Sequence, residues 1–219
     1  MRLYKLVVPQ DRIDAFTAYS KQVVKPAISE FTSPEGGRFF QASNSPLTFF
    51  LVVWWQNSRS ALEFDGSPKR NNLVQGVQPF LAERLVHWDM AILDDDYVEE
   101  EPVYYDSEVY MRLSKVAISP KRSGNLKSLF EAYTNSVTRK QEGCLSVKLL
   151  KCTNVADLYF IFTVWSHRDA FVKFSKADDY QEIRSQTFSM LENRLEIWDL
   201  KMLDGSEDVY RIMGGVIEE

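Results

Sequence analysis

The sequence predicts an α+β fold in which two βαββαβ repeats pack sheet to sheet within one chain. Three observations predict it: an internal repeat at a spacing of 110 residues, the order of hydrophobic periodicities in each half, and a strand in each half that is apolar on both faces. Sliding the chain by 110 residues over 50–94 superposes ten identities in 45 gap-free positions, among them Phe50/Phe160, Trp55/Trp165, Phe64/Phe174, Arg84/Arg194 and Trp88-Asp89/Trp198-Asp199. Two matched tryptophans make coincidence a poor account and duplication a simple one. Ahead of that block the halves align only with gaps, through Pro9/Pro120, Ala18-Tyr19/Ala132-Tyr133 and Glu35-Gly36/Glu142-Gly143. The expected division is residues 1–94 as the first repeat, 95–108 as a linker, 109–205 as the second repeat and 206–219 as a tail.

Each repeat opens on a β-rich stretch, residues 3–8 and 109–118. Ile13, Phe16, Tyr19, Val23, Ala27 and Phe31 then step by three or four, as do Leu126, Phe130, Tyr133 and Val137, which marks amphipathic helices. Pro26 should kink or interrupt the first of these. Glu35-Gly36-Gly37 and Glu142-Gly143 are expected to end the helical stretches, glycine being the residue best able to adopt positive φ. Strands follow over 38–42 and 144–151, then over 47–55 and 158–165. A helical region carrying Leu73, Val77 and Phe80 in one copy, and Tyr180, Ile183, Thr187 and Met190 in the other, leads to closing strands at 85–93 and 195–203. This order is the ferredoxin-like plan.

The third strands decide how the repeats assemble. Phe49, Leu51, Val53 and Trp55 alternate with Phe50, Val52 and Trp54, and the second copy repeats the pattern with Tyr159, Ile161, Thr163 and Trp165 opposite Leu158, Phe160, Phe162 and Val164. An antiparallel sheet with one wet face alternates polar with apolar residues; here both faces are apolar. Helices cover only one face in this topology, and leaving the other in water costs several kcal/mol per repeat at about 25 cal/mol per Å². The twin repeat is the expected cover, giving an intramolecular dimeric α+β barrel.

Composition narrows the function. The chain has 219 residues, net charge −5, 45% hydrophobic residues and a pI near 5.2, which suits a globular protein and excludes disorder. Positions 94–108 hold eight acidic residues and no basic one, so removing them leaves the rest at +3; the acidity belongs to a solvated connector. No basic run points to nucleic acid, and the longest apolar stretch, residues 47–55, is far short of the roughly 20 residues of a membrane span. The two cysteines, Cys144 and Cys152, fit thiols in a reducing, cytoplasmic setting. The expected partner is a small hydrophobic or aromatic molecule, with neither nucleic acid nor membrane.

Each repeat resembles the antibiotic biosynthesis monooxygenase domain of the dimeric α+β barrel superfamily. The resemblance is carried by FFLVVWWQNSRSALEF and YFIFTVWSHRDAFVKF, a strand ending in tryptophan followed by a short helix, and by the closing strands RLVHWDMAILD and RLEIWDLKMLD. It covers nearly all of the chain except linker and tail. It implies a cofactor-free oxygenase of polyphenols or quinols, a haem-degrading enzyme, an isomerase or cyclase, or a stress-related protein without chemistry; fold alone does not choose. Many relatives carry a histidine nine or ten residues beyond the strand-ending tryptophan, which binds iron in the haem-degrading ones. Counting that far from Trp55 and Trp165 gives Phe64, Asp65, Phe174 and Ser175, so haem degradation is disfavoured. The resemblance also implies that Trp55 and Trp165 line a pocket between sheet and helices.

The residues support no cofactor and no metal. His87 and His167 are the only histidines, without H-x-x-x-H or C-x-x-C spacing, and no phosphate-binding, dinucleotide or nucleophile-elbow motif occurs. A cofactor-free oxygenase needs only a dry aromatic pocket, a base and shielding from water, because an electron-rich substrate anion can reduce dioxygen itself. His87 is the best base by its ordinary pKa. Asp89 points to the same side of the strand about 7 Å away, able to help orient the imidazole, and the second repeat has Ile197 there. Arg84 and Arg194 recur at the entrance to the closing strands, where a guanidinium could hold a phenolate or carboxylate. His87, Asp89 and Arg84 are therefore the expected catalytic residues, and Trp55, Trp165 and Arg194 the expected substrate contacts. The rival expectation is a non-catalytic barrel that binds a hydrophobic metabolite. A monomer or weak homodimer is expected, the β-rich tail DVYRIMGGVIEE being the piece able to pair with another chain.

Overall fold

A computed structural model describes residues 1–97, 109–119, 121, 128, 130, 141–191 and 195–203. The described chain divides into two compact units, Met1–Asp89 with Lys201–Gly205, and Met90–Leu200. In the first, β1 (Arg2–Val7) leads to α1 (Ile13–Tyr19), a π-helical turn (Ser20–Val24) and α2 (Lys25–Ser29). Then come β2 (Thr32–Ala42), β3 (Thr48–Trp55), α3 (Ser58–Asp65), α4 (Pro68–Val77) and β4 (Val86–Tyr97). β1 lies between β3 and the start of β4, and β3 between β1 and β2, all antiparallel.

The interruption expected from Pro26 is present and has a local cause. Proline lacks an N–H and its ring crowds the carbonyl four residues back; the wider turn at Ser20–Val24 lies just ahead, and Pro26 falls in the first turn of α2, where no donor is needed. The helix ends at Ser29, earlier than expected, and Gly36-Gly37 lie inside β2, not at a helix terminus. They serve an irregularity in the β2–β3 register between Thr32 and Gly37. Gly36 takes φ +64°, and a Cβ on Gly37 would stand 2.5 Å from Ile28 Cδ1, so glycine is needed there for positive φ and for close packing of α2. Side chains cap the next helices: Asn57 Oδ1 accepts from the Ser60 N–H at 2.9 Å, and Ser67 Oγ from the Arg70 N–H at 3.3 Å.

β3 is buried on both faces, as its composition demands. Phe49, Leu51 and Val53 join Phe16, Val24, Ile28 and Phe64 in the helix-side core, while Phe50 and Val52 are equally buried on the opposite face. Beyond the first unit β4 runs on to Tyr97, pairing Met90–Tyr97 with Ser146–Cys152 across an irregularity at Ile92/Asp94. The first residues of the expected linker are thus strand; residues 98–108, with the rest of that linker, lie outside the described residues.

The second unit contains β5 (Tyr110–Ala117), β6 (Cys144–Cys152), β7 (Leu158–Trp165), α5 (Arg168–Ser175), α6 (Asp178–Met190) and β8 (Glu196–Met202). β5 pairs with β7 and β8, and β7 with β6, repeating the order of the first unit. The helix expected around residues 126–137 lies outside the described residues except for Ser128 and the buried Phe130, and so does the tail. The hydrogen-bonding order β1-β3-β2-β8-β5-β7-β6-β4 makes the fold mixed α+β, an eight-stranded antiparallel barrel sheet with helices. Among the described residues no helix is long and apolar enough to cross a membrane.

Candidate functional site

A cavity of about 520 Å³, counted with its mouth, lies in the first unit between the sheet and the helices. Alternation along β1 and β3 turns Tyr4, Leu51, Val53 and Trp55 toward it, and the π-helical turn and α4 form the facing wall with Ser20, Val24, Arg70 and Val77. Its lining is apolar apart from Tyr4, Ser20, Trp55 and Arg70. Two of these groups have no hydrogen-bond partner: Ser20 Oγ and Trp55 Nε1 are both buried and unpaired. Buried polar atoms are nearly always paired, and each exception costs about 1–3 kcal/mol, so this wall offers two hydrogen-bonding groups to a molecule held in the cavity.

A charged cluster stands next to Tyr4. Arg2, only 4% exposed, holds Asp65 through Nη1 and Nη2 at 2.5 and 2.8 Å and Asp89 through Nε and Nη2 at 2.6 and 3.1 Å. Its Nη1 also donates to the Tyr4 hydroxyl at 3.4 Å, and the guanidinium lies 5.5 Å from the centre of the Trp55 ring. Arg70 joins Asp65 at 3.3 Å. Two carboxylates hold the Arg2 proton more tightly than usual despite burial, and Arg2 in turn draws the Asp65 carboxyl below its ordinary range. Burial pushes the Tyr4 phenol up.

The expected residues distribute unevenly around this cavity. Trp55 lines it. His87 is the cross-strand neighbour of Tyr4, their rings 5.7 Å apart and tilted by 40°; burial first, and the Arg2 charge second, lower its pKa, so the imidazole is neutral at neutral pH and able to accept a proton. Asp89 is engaged by Arg2, its strand partner, rather than by His87. Arg84 is exposed in the segment before β4 and does not line the cavity; the guanidinium that does is Arg70. Trp165 is completely buried between Phe171 and Phe174, at 5.6 and 4.9 Å between centroids, and does not line the cavity of its own unit. The cause is one substitution between the copies: Phe171 stands where the first unit has Ala61, so Trp165 is sealed while Trp55 is left at the wall. Arg194 lies outside the described residues.

Arg2 went unnoticed in the sequence, yet the signal is there. At the same offset of 110 the opening strands align without a gap, matching Met1-Arg2-Leu3 and Lys5 with Met111-Arg112-Leu113 and Lys115. Arg112 likewise holds Asp199, at 2.7 and 2.8 Å, and donates to the Tyr110 hydroxyl at 2.6 Å. The repeated Trp-Asp of the closing strands is thereby explained: the tryptophans, Trp88 and Trp198, are buried, and the aspartates receive the strand-one arginines. Among the described residues no group of three or more His, Cys, Asp or Glu is placed to hold a metal ion.

Residues 110–186 match the family model for antibiotic biosynthesis monooxygenase. No curated protein matches the sequence. Solved structures match over nearly the whole chain: a candidate monooxygenase from Fusobacterium nucleatum, 14% identical, with TM-score 0.67 and 92% and 91% of the two chains covered; one from Lactobacillus acidophilus, 11% identical, with TM-score 0.62 and 92% of each chain covered; and an anthrone oxidase-like protein, 8% identical, with TM-score 0.67 and 92% and 90% covered. Residues 110–186 are thus similar to the antibiotic biosynthesis monooxygenase domain, and the chain shares, along nearly its full length, the two-domain α+β barrel fold of these solved structures.

Proposed function

We propose that the protein is a cofactor-independent monooxygenase acting on a small aromatic or polyketide-like molecule held in the first unit's cavity. The observation that carries this reading is the combination of an apolar, Trp55-walled cavity with a neutral imidazole, His87, beside the Tyr4 phenol at its edge. A flat aromatic body fills the apolar volume, and Arg70 and Tyr4 face the charge that develops on its oxygen. His87 takes a proton from the activated hydroxyl or methylene, and the anion reduces dioxygen by one electron. Recombination at carbon gives a peroxide. For a methylene flanked by aromatic rings, loss of water then leaves a carbonyl, so that CH2 and O2 become C=O and H2O. Asp89 and Asp65 act through Arg2, which fixes the strand positions of Tyr4 and His87. Arg84, at the exposed approach to β4, is a candidate for drawing an anionic substrate inward. The two units are read as copies of one duplicated domain, and the two free thiols, Cys144 and Cys152, suit the cytoplasm.

Dioxygen uptake by chelator-treated protein supplied with anthrone or a hydroquinone tests this. Uptake should occur without added metal or flavin and fall by about 10²-fold or more in His87→Ala, with unchanged circular dichroism. Uptake that survives both His87→Ala and Tyr4→Phe, or that requires an added cofactor, would overturn the assignment. A retained apolar ligand in native mass spectrometry without any turnover would favour the binding-only barrel.

A further inference from the structure

We propose that the second unit's cavity is a separate binding site for an amphipathic anion, an aromatic or fatty carboxylate, distinct in chemistry from the cavity of the first unit. This cavity is about 770 Å³ with its mouth and lies wholly within the second unit, between β5, β7 and β8 and α6. It is built largely from positions that correspond to the first at the offset of 110, and the substitutions relocate its polar groups, Arg70 becoming Tyr180. Val53 becomes Thr163, Val74 becomes Arg184, Val77 becomes Thr187 and Tyr4 becomes Ser114, while the place of His87 is taken by Ile197. The wall has gained hydroxyls at Thr163 and Thr187, and its helix cation stands one turn further along, at Arg184 in place of Arg70.

Two observations point to a bound anion rather than to a loosely polar interior. Thr163 is 5% exposed and its Oγ1 has no hydrogen-bond partner. Valine fits the equivalent strand position in the first unit, so the hydroxyl carries a desolvation cost that valine would avoid. The second observation is charge. Arg112, one cation of the wall, is neutralised by Asp199, whereas Arg184 forms no ion pair among the described residues and rests over the Phe188 ring at 5.1 Å. Among the described residues the lining thus carries one cation without an ion pair, Arg184, at the edge of an apolar floor made by Phe130, Ile161, Leu195 and Ile197. A carboxylate with an apolar body satisfies both features: the head meets Arg184 and a Thr163-side hydroxyl donor, and the body fills the floor. With no histidine in its lining, the site binds without supplying a base near neutrality.

Calorimetric titration of the full chain with 2-naphthoate, laurate and the neutral 2-naphthylmethanol tests the proposal. At least one of the carboxylates should bind at least tenfold more tightly than the alcohol, with affinity falling as salt rises. Arg184→Gln should weaken the carboxylate at least tenfold and leave the alcohol within about twofold. Thr163→Val should weaken the carboxylate severalfold while raising Tm, a combination that a purely structural role would not give. Equal affinity for acid and alcohol, unchanged carboxylate affinity in Arg184→Gln, or no carboxylate binding below 1 mM would each overturn it. Binding is read without turnover, so the outcome stands whether or not the first cavity proves to be an oxygenase site.

Discussion

Replacing Arg2 by glutamine removes the group that joins β1 to β4 and α3 in the first unit. Its side chain is 5% exposed, and it makes four charge-assisted hydrogen bonds to Asp65 and Asp89, whose side chains are 35% and 31% exposed. Breaking a fully buried pair costs about 3–5 kcal/mol. Here water reaches both abandoned carboxylates, which lowers the cost to roughly 2–3 kcal/mol, and the lost stacking on Trp55 adds about 0.5–1 kcal/mol. The expected loss is therefore about 3 kcal/mol, or roughly 6–12 °C in Tm for a chain of this size. Arg2→Lys should recover only part of it, because an ammonium cannot grip two carboxylates bidentately. Urea unfolding at neutral pH measures the loss. The pH dependence supplies an independent check. Arg2 holds the folded-state pKa of Asp65 below its ordinary value, so this stabilisation is complete above the ordinary carboxylate pKa and disappears as pH falls through the lowered one. The acid limb of the stability curve should flatten in Arg2→Gln. A loss under about 0.5 kcal/mol, the scale of an ordinary surface change, with an unaltered acid limb would refute the reasoning.

The His87 imidazole, followed by NMR, should titrate below its ordinary 6.5 and move upward in Arg2→Gln, since burial and the Arg2 charge both depress it; oxygenase activity should rise with pH through that same lowered value. Phe16→Ala should cost about 3–5 kcal/mol in urea unfolding, because the ring is 1% exposed and packs edge-on against Phe39, Phe49 and Phe80. Gly76→Ala should forgo the usual gain of about 1 kcal/mol for alanine in a helix, its Cβ meeting the Tyr19 hydroxyl oxygen, and should recover that gain in a Tyr19→Ala background. Burial pushes the Cys144 thiol up to about 12, so labelling by a disulfide reagent at pH 8 should be on the order of 10³-fold slower than for an ordinary thiol and become fast on unfolding.

The fold was legible because its signals are cooperative. Seven consecutive large apolar residues in 49–55 can be buried only in a strand covered on both sides, and the 110-residue offset carries that inference to the second copy. Boundaries set by tertiary packing were less legible. Gly36-Gly37 read as a helix end because glycine favours positive φ in either setting; only the pairing of β2 with β3 and the approach of Ile28 reveal an irregular strand. The acidic run at 94–97 read as linker on charge, whereas backbone pairing with β6 makes it strand. At the site, Trp55 and Trp165 look equivalent in sequence, and the Ala61/Phe171 difference on the next helix separates a cavity wall from a sealed core. Arg2 escaped because a charged residue at the head of a strand reads as exposed; its two carboxylate partners are 63 and 87 residues away, and only the folded register brings them together.

Filling the first unit's cavity tests the account most directly. Val77 lines it and is 7% exposed, whereas Leu62, on the neighbouring α3, is 71% exposed. Dioxygen uptake with anthrone should fall by about 10²-fold or more in Val77→Trp and stay near the original rate in Leu62→Trp, both retaining the original near-ultraviolet circular dichroism. Undiminished uptake in folded Val77→Trp protein would show that the chemistry does not take place in this cavity.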